Sequence, residues 1–200
     1  MQTKKITKCF RFVNEDLTSH QDGITRWELG KWNKITGKLT PCEHGLHASL
    51  TPLESLNNVY GDRWFMTEAR GSIVKKENKF CAKEMRIVSE IPIIVIKRFA
   101  LFCAKDCLIN YEKEYPNDKR VSDCIKATED YLDGKITLDE LSAARSAARS
   151  AAWSAAWSAA WSAAWSAESA AESAARSAAR SAAEKRQNKE LNRLIKEYAK

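Results

Sequence analysis

The chain has 200 residues, and no uninterrupted apolar run in it approaches the roughly 18–20 residues that span a bilayer. The longest candidate, Ile91 to Phe102, is interrupted by Pro92, Lys97 and Arg98. No membrane segment is expected. The opening residues MQTKKITKCF carry lysines but no apolar core, so no signal peptide is expected and a cytoplasmic location follows. The six cysteines are scattered, as in a compartment where thiols stay reduced. A dense basic stripe is also missing, although the net charge is +7. Residues 1–91 carry 15 basic and 11 acidic side chains, residues 92–134 carry 7 and 8, and residues 135–200 carry 11 and 7. So diffuse an excess argues against nucleic acid as partner. From Lys135 to Lys200 there is no glycine and no proline, which removes the ordinary chain breakers from a third of the molecule.

What is present divides into three stretches with different patterns. Residues 1–91 hold six of the seven glycines. Short β-type runs recur there, at Cys9–Val13, Trp64–Thr67, Ser72–Val74 and Met85–Val88, separated by turn residues such as Asp22-Gly23, Thr36-Gly37 and Gly61-Asp62. Thr51 followed by Pro52 predicts a short helix running to Tyr60, with threonine as N-cap and proline in the first helical turn. This stretch reads as a small α+β domain. Residues 92–134 change to helical spacing, with Phe99, Phe102, Cys103, Cys107 and Leu108 or Ile109 on one face. After a turn at Tyr115 to Asp118, Val121, Ile125, Thr128 and Leu132 line a second helix that ends at Asp133-Gly134.

Residues 135–200 read as one long alanine-rich helix. Thr137-Leu138-Asp139-Glu140 is a capping box. Four-residue units follow: SAAR, then SAAW, a shortened SAE, then SAAE and SAAR. A single helix through this span would be about 95 Å long. Each tetrad advances about 400°, so the fourth position drifts about 40° per repeat. Trp153, Trp157, Trp161 and Trp165 then share an arc of about 120°. Arg149 is spaced for a cation–π contact with Trp153. Four indoles facing water would form an apolar patch that needs a partner. Leu191, Leu194, Ile195 and Tyr198 follow the spacing of an amphipathic face. These eight residues are the expected association surface, and the expected partner is another copy of the chain.

The chemistry-bearing cluster is Pro41-Cys42-Glu43-His44-Gly45-Leu46-His47-Ala48-Ser49. Cys42, His44 and His47 are ligand types for zinc, but their spacing matches no zinc pattern and no second cluster lies near, so no metal is expected. Trp27 and Trp32 flank Glu28 to Lys31 and could stack a ligand base or close a small core.

The run His44 to Ser49, the helix after Pro52 and the run Arg63 to Gly71 resemble the middle of ADP-ribosyltransferase-like domains. The His-x-x-His-x-Ser form also resembles the second motif of the RNA 2′-phosphotransferases. The resemblance implies that His47 and Ser49 line an NAD cleft, with Glu84 as the late-strand acid. Neither an opening His-Gly-Thr or Arg-Gly motif nor a Glu-x-Glu or Gln-x-Glu pair is present; Arg11 or Arg26 would have to serve for the first. The same stretch is similar to phage and prophage proteins carrying Gly-Leu-His-Ala. Residues 99–141 resemble helical segments of bacterial immunity proteins, which implies a setting of phage–host or toxin–antitoxin conflict.

Together these readings predict an α+β domain (1–91), a helical connector (92–134) and a helix for association (135–200). The expected function is that of a non-enzymatic phage or prophage accessory protein that binds a host macromolecule or a nucleotide-derived small molecule, without a cofactor. His44, His47 and Ser49 are its expected site, with Trp27, Trp32 and Arg11 as walls. Two alternatives stay open: an ADP-ribosyltransferase using NAD, with Glu84 as its catalytic acid, and a structural scaffold.

Overall fold

The computed structural model describes residues 5–58, 61–76, 79–150 and 170–199. It is an α+β protein: an antiparallel sheet in the N-terminal region and five helices among the described residues, the last of them C-terminal. Two compact units are present, Met1–Val95 with Asn188–Lys200, and Ile96–Gln187.

The first unit is built on β1 (Thr7–Val13), β2 (Asn33–Lys34), β3 (Leu46–Ala48), β4 (Arg63–Lys76) and β5 (Lys79–Ile91). β4 alternates as a half-buried strand should, with Phe65, Thr67 and Ala69 inward and Met66, Glu68 and Arg70 on the other side. It pairs with β1 from Thr7↔Ala69 to Val13↔Arg63 and with β5 from Trp64↔Ile91 to Lys76↔Lys79. The far side of β5 takes β2 and β3, through Asn33↔Met85 and Leu46↔Ala82. One further pair completes the circuit. Phe10 and Ser49 exchange two backbone hydrogen bonds, each 2.9 Å, so that β3 returns to β1. Inside lie Cys9, Val13, Trp27, Phe65, Phe80, Met85 and Ile87 among others. Burial of these side chains is the main favourable contribution to this unit, about 1.5–3 kcal/mol for each large one.

The runs Trp64–Thr67 and Ser72–Val74, expected as two strands, are one. The register shifts between Arg70 and Ile73, and Gly71, at φ 80°, lies in that irregularity. The glycine between the two runs is a bulge within a continuous strand.

Helix α1 (Pro52–Leu56) starts as expected. Glu54 N–H donates to Thr51 Oγ1 at 3.2 Å and Thr51 N–H to Glu54 Oε2 at 3.0 Å, a complete capping box. The helix is shorter than the expected run to Tyr60. Leu53 N–H, one of the donors left open in its first turn, is taken by Asn188 Oδ1 at 3.2 Å.

The second unit is helical. It contains most of α2 (Ile93–Glu114), α3 (Arg120–Leu132), α4 (helical from 138 to 150, where the described residues pause) and much of α5 (Ala170–Tyr198). Gly134 follows α3 at φ 71°, the left-handed C′ position that glycine accepts without penalty. The Thr137 capping box is formed as well. Buried apolar residues in this unit are few among those described: Phe99, Leu101 and Leu141. On α2 the expected face is only partly covered, since Cys107 is exposed and Ile109 is 58% exposed. On α3 no residue is buried. Polar clasps hold the turns instead. Arg98 donates to Asp133 at 2.7 Å, Lys105 to Glu129 at 2.6 Å, and Arg186 to Asp106 at 2.8 Å.

Trp153, Trp157, Trp161 and Trp165, and with them the expected Arg149–Trp153 contact, lie outside the described residues. The second expected association face is placed: Leu191, Leu194 and Ile195 are 0%, 1% and 4% exposed, and Tyr198 is half-buried. The chain itself covers the three aliphatic side chains, so they are not an open surface. No helix among the described residues is long and apolar enough to cross a membrane.

Candidate functional site

Strand β1 carries an unusual residue at a core position. Cys9 and Val13 face the buried cluster, and the residue between them with the same parity is Arg11. Its side chain is 9% exposed. The guanidinium lies 4.0 Å from the Trp27 ring centroid. It donates to Ser19 Oγ at 3.2 Å and to the Phe12 carbonyl at 3.4 Å, and approaches Met85 Sδ at 3.9 Å. Among the described residues it has no carboxylate ion pair. Asp22 acts on it only through its field, because the Asp22 carboxylate accepts from Ile24 N–H, Thr25 N–H and the Thr25 hydroxyl. Burial pulls the Arg11 pKa down to about 10, which still leaves the group charged at neutral pH. A buried, uncompensated charge costs several kcal/mol in folding. It persists where something other than stability retains it.

Arg11 borders a cleft of about 280 Å³ that opens where β1 and β3 part on either side of the Phe10–Ser49 pair. His47 contributes from β3, Ser49 from the position just after it, Lys79 from β5, and His20 and Cys42 from the loops. Among the described residues no aspartate or glutamate takes part in the lining. The Ser49 residue is 2% exposed. Its hydroxyl has no hydrogen-bond partner among the described residues, and the Lys79 ammonium has no ion pair there.

His47 accepts a hydrogen bond from Cys42 N–H at Nε2, 2.9 Å. In the neutral ring the proton therefore sits on Nδ1, which is buried and has no hydrogen-bond partner among the described residues. Burial, then the Arg11 cation, push the His47 pKa below its ordinary value, while the Gly45 backbone works the other way and Lys79 adds to the lowering. The loop that presents His47 is tightly constrained. Cys42 stands at φ 75° and Gly45 at φ 149°. A Cβ on Gly45 would lie 2.5 Å from Cys81 Cβ.

Of the residues singled out in the sequence, Arg11, His47 and Ser49 come together here. The others go elsewhere. His44 Nε2 donates to the Thr36 carbonyl at 2.7 Å and braces its own loop. Trp27 is 1% exposed, stacked under Arg11 with Nε1 donating to Ser19 Oγ at 2.8 Å, so it is core rather than wall. Trp32 lies under the guanidinium groups of Arg70 and Arg86, at 3.8 and 4.8 Å from its ring. Glu84 is 8% exposed and accepts from Arg70 Nε at 2.8 Å; it does not line the cleft. Lys79 and His20 were not picked out in the sequence. The signal available was weak, since Lys79 is one of four lysines at 75–83, and only the β3–β5 register brings it beside His47. Among the described residues no group of His, Cys, Asp and Glu could hold a metal ion. The Cys9 thiol, hydrogen-bonded to Thr67, is pushed up to about 12 by burial, far from a reactive thiolate.

Comparison with known families divides the chain in a similar place. A family described as a domain of unknown function (DUF7666) matches residues 7–97, which contain the whole cleft. A family described as Imm-5 like putative immunity protein matches residues 88–189, the helical half. No curated protein and no solved structure matches the chain. The expected likeness of the helical segment to immunity proteins is thereby shown, over a longer span than residues 99–141, while no match supports the ADP-ribosyltransferase resemblance. By the match over half its length, the chain belongs to the Imm-5 like immunity protein family.

Proposed function

We propose that this protein is a non-enzymatic accessory protein of phage or prophage type, acting in the cytoplasm. Its sheet domain captures a small, phosphate-bearing, nucleotide-derived ligand, and its helical half carries an immunity-type role. The observation that carries the reading is the Arg11 guanidinium: nine-tenths buried and, among the described residues, without a carboxylate, at the edge of a cleft whose described lining has cationic groups and no acidic ones. An anion arriving there supplies the partner the protein leaves out, and charge-assisted hydrogen bonds to guanidinium are among the strong ones. Ser49 adds a free hydroxyl. The cleft is close to the lower end of the usual size for small-ligand sites, which suits a mononucleotide-sized molecule. No cofactor is needed. Titration of the full chain with AMP and ADP by calorimetry tests this. Saturable binding that Arg11→Met weakens about 100-fold supports the reading, and absence of binding to the intact protein overturns it.

A second reading is favoured by His47 and Ser49, which do sit in one cleft as the ADP-ribosyltransferase resemblance implies. In it NAD is the substrate and Glu84 the catalytic acid. Against it stands the Arg70–Glu84 pair, which holds that carboxylate away from the cleft lining. Labelled NAD with host lysate decides: label transfer lost in Glu84→Gln would establish the enzyme. Self-association, in turn, would rest on the tryptophan tetrads, because Leu191, Leu194 and Ile195 are already covered. A host protein is the other candidate partner. A monomeric mass by light scattering would remove the self-association part.

A further inference from the structure

The ligand's charge state can be read from the same cleft, on the basis of the anion-site reading above. Two cations border it with no ion pair among the described residues: Arg11 on β1 and Lys79 on β5. A third is latent. His47 on β3 is neutral in the arrangement described, because its Nε2 accepts the Cys42 N–H bond. Of the groups facing it from the surrounding elements, Arg11 on β1 and Lys79 on β5 oppose a proton and the Gly45 backbone favours one, while the Cys81 thiol on β5, Cys42 in the loop before β3 and His20 in the segment after β1 also border it. Among the described residues no carboxylate belongs to the lining.

We propose that the cleft takes a tetrahedral dianion, the terminal phosphate of a phosphomonoester rather than a phosphodiester or a carboxylate, and takes up one proton on His47 as it does so. A dianion matches the two fixed cations. Its field removes the repulsion that keeps the imidazole neutral, so proton and anion stabilise each other's binding. A proton on His47 changes Nε2 from acceptor to donor. It then loses the Cys42 N–H bond and can donate to a ligand oxygen instead. Cys42 is thereby released from a left-handed backbone conformation that residues with side chains seldom adopt. The step is a proton transfer from solvent to an imidazole nitrogen, and no other bond is made or broken.

Sulfate is the probe, because it remains a dianion throughout pH 5–8 and any pH dependence then belongs to the protein. Binding to the full-length protein is followed by calorimetry in two buffers of different ionisation enthalpy, with methyl sulfate as the monoanionic comparison. The expected result is sulfate affinity rising about tenfold as the pH falls from 7.5 to 5.5, which corresponds to about one unit of pKa change on binding. Uptake of up to one proton accompanies it, methyl sulfate binds at least tenfold more weakly, and the His47 ring resonances titrate higher when sulfate is present. His47→Gln, with its fold checked by circular dichroism, abolishes proton uptake. Sulfate binding without uptake or pH dependence overturns this inference and leaves the anion site standing. Uptake that survives in His47→Gln and vanishes in His20→Gln also overturns it, moving the proton to His20. Absence of sulfate and nucleotide binding at every pH overturns the site itself.

Discussion

Two arginine–tryptophan stacks lie in the same small sheet domain, and they are built to opposite rules. In one, Arg70 and Arg86 cover Trp32, and each arginine has an acid: Glu84 across the strand pair from Arg70 at 2.8 Å, and Glu68 opposite Arg86 at 2.7 Å. In the other, Arg11 covers Trp27, deeper in the protein and, among the described residues, with no acid paired to it. Both use the attraction of a cation for a ring face, worth about 0.5–2 kcal/mol depending on desolvation. The difference is in what remains unsatisfied. The Trp32 stack is a closed set of charges that the β4–β5 register makes neutral. The Trp27 stack keeps a net positive charge directed at a cleft. The first arrangement is one a strand pair uses to stay together; the second is the one on which the proposed anion site rests.

The largest effect separates the two at once. Arg70→Met removes a salt-bridge partner of Glu84, a carboxylate 8% exposed. Stability should fall by about 2–3 kcal/mol, since breaking a mostly buried pair leaves a charge poorly compensated. Urea unfolding checks it. Arg11→Met should leave the empty protein as stable as before or up to about 1 kcal/mol more stable, because an apolar side chain replaces an uncompensated buried charge. The same substitution should weaken binding of AMP, ADP and sulfate about 100-fold. Equal destabilisation by the two substitutions would show that Arg11 is structural and collapse the distinction.

Acid should distinguish the stacks next. The cleft contains His47, whose pKa is lowered in the folded protein by burial and by Arg11. The unfolded chain therefore binds more protons than the folded one as pH falls through the ordinary histidine value of about 6.5. Stability of the ligand-free protein should decline between about pH 7 and pH 5, and His47→Gln should flatten that decline. The Trp32 stack has no histidine and should not contribute in this window. Glu90, held low by Arg63, adds a separate loss only as pH falls below the usual carboxylate range. In the helical half, Asp133 is lowered to about 2 by Arg98 and Lys135, so its clasp opens later still.

How much of this was legible follows from which interactions are local. The capping box at Thr51, the Thr137 box and the Gly134 stop depend on residues three or four apart, and all were readable from spacing. The run Cys9 to Val13 announced a strand and Arg11 was expected as a wall of the site, but only the folded sheet shows it at an inward position. What that arginine lacked was not readable, because an absent acid is a property of the closed sheet. The partnership of Glu84 with Arg70 likewise comes from strand register, and so does the meeting of His47 with Lys79. The runs Trp64–Thr67 and Ser72–Val74 were not legible as one strand because the bulge at Gly71 interrupts their pattern. The face of Leu191, Leu194 and Ile195 was correct as an amphipathic pattern, but periodicity identifies an apolar stripe without naming what covers it.

The smallest effects should come from the rings themselves. Trp27→Phe keeps a ring beneath Arg11 but deletes the Nε1–H bond to Ser19 Oγ and leaves a void in a site 1% exposed. The cost should be about 1–2 kcal/mol. Trp32→Phe keeps a weaker ring face at a half-buried position whose arginines are already held by Glu68 and Glu84. Its cost should be about 0.5 kcal/mol or less, because the cation–π contact is only one of the restraints on those side chains. A further asymmetry follows from Ser19 Oγ, which accepts from both Trp27 and Arg11. In Trp27→Phe the guanidinium becomes the sole claimant of that oxygen and shifts in the cleft, so anion affinity should change by a few fold. Trp32→Phe should leave it untouched. A Trp32 substitution that altered sulfate affinity as much as the Trp27 one would mean that the two stacks are coupled through β5 and act as a single site.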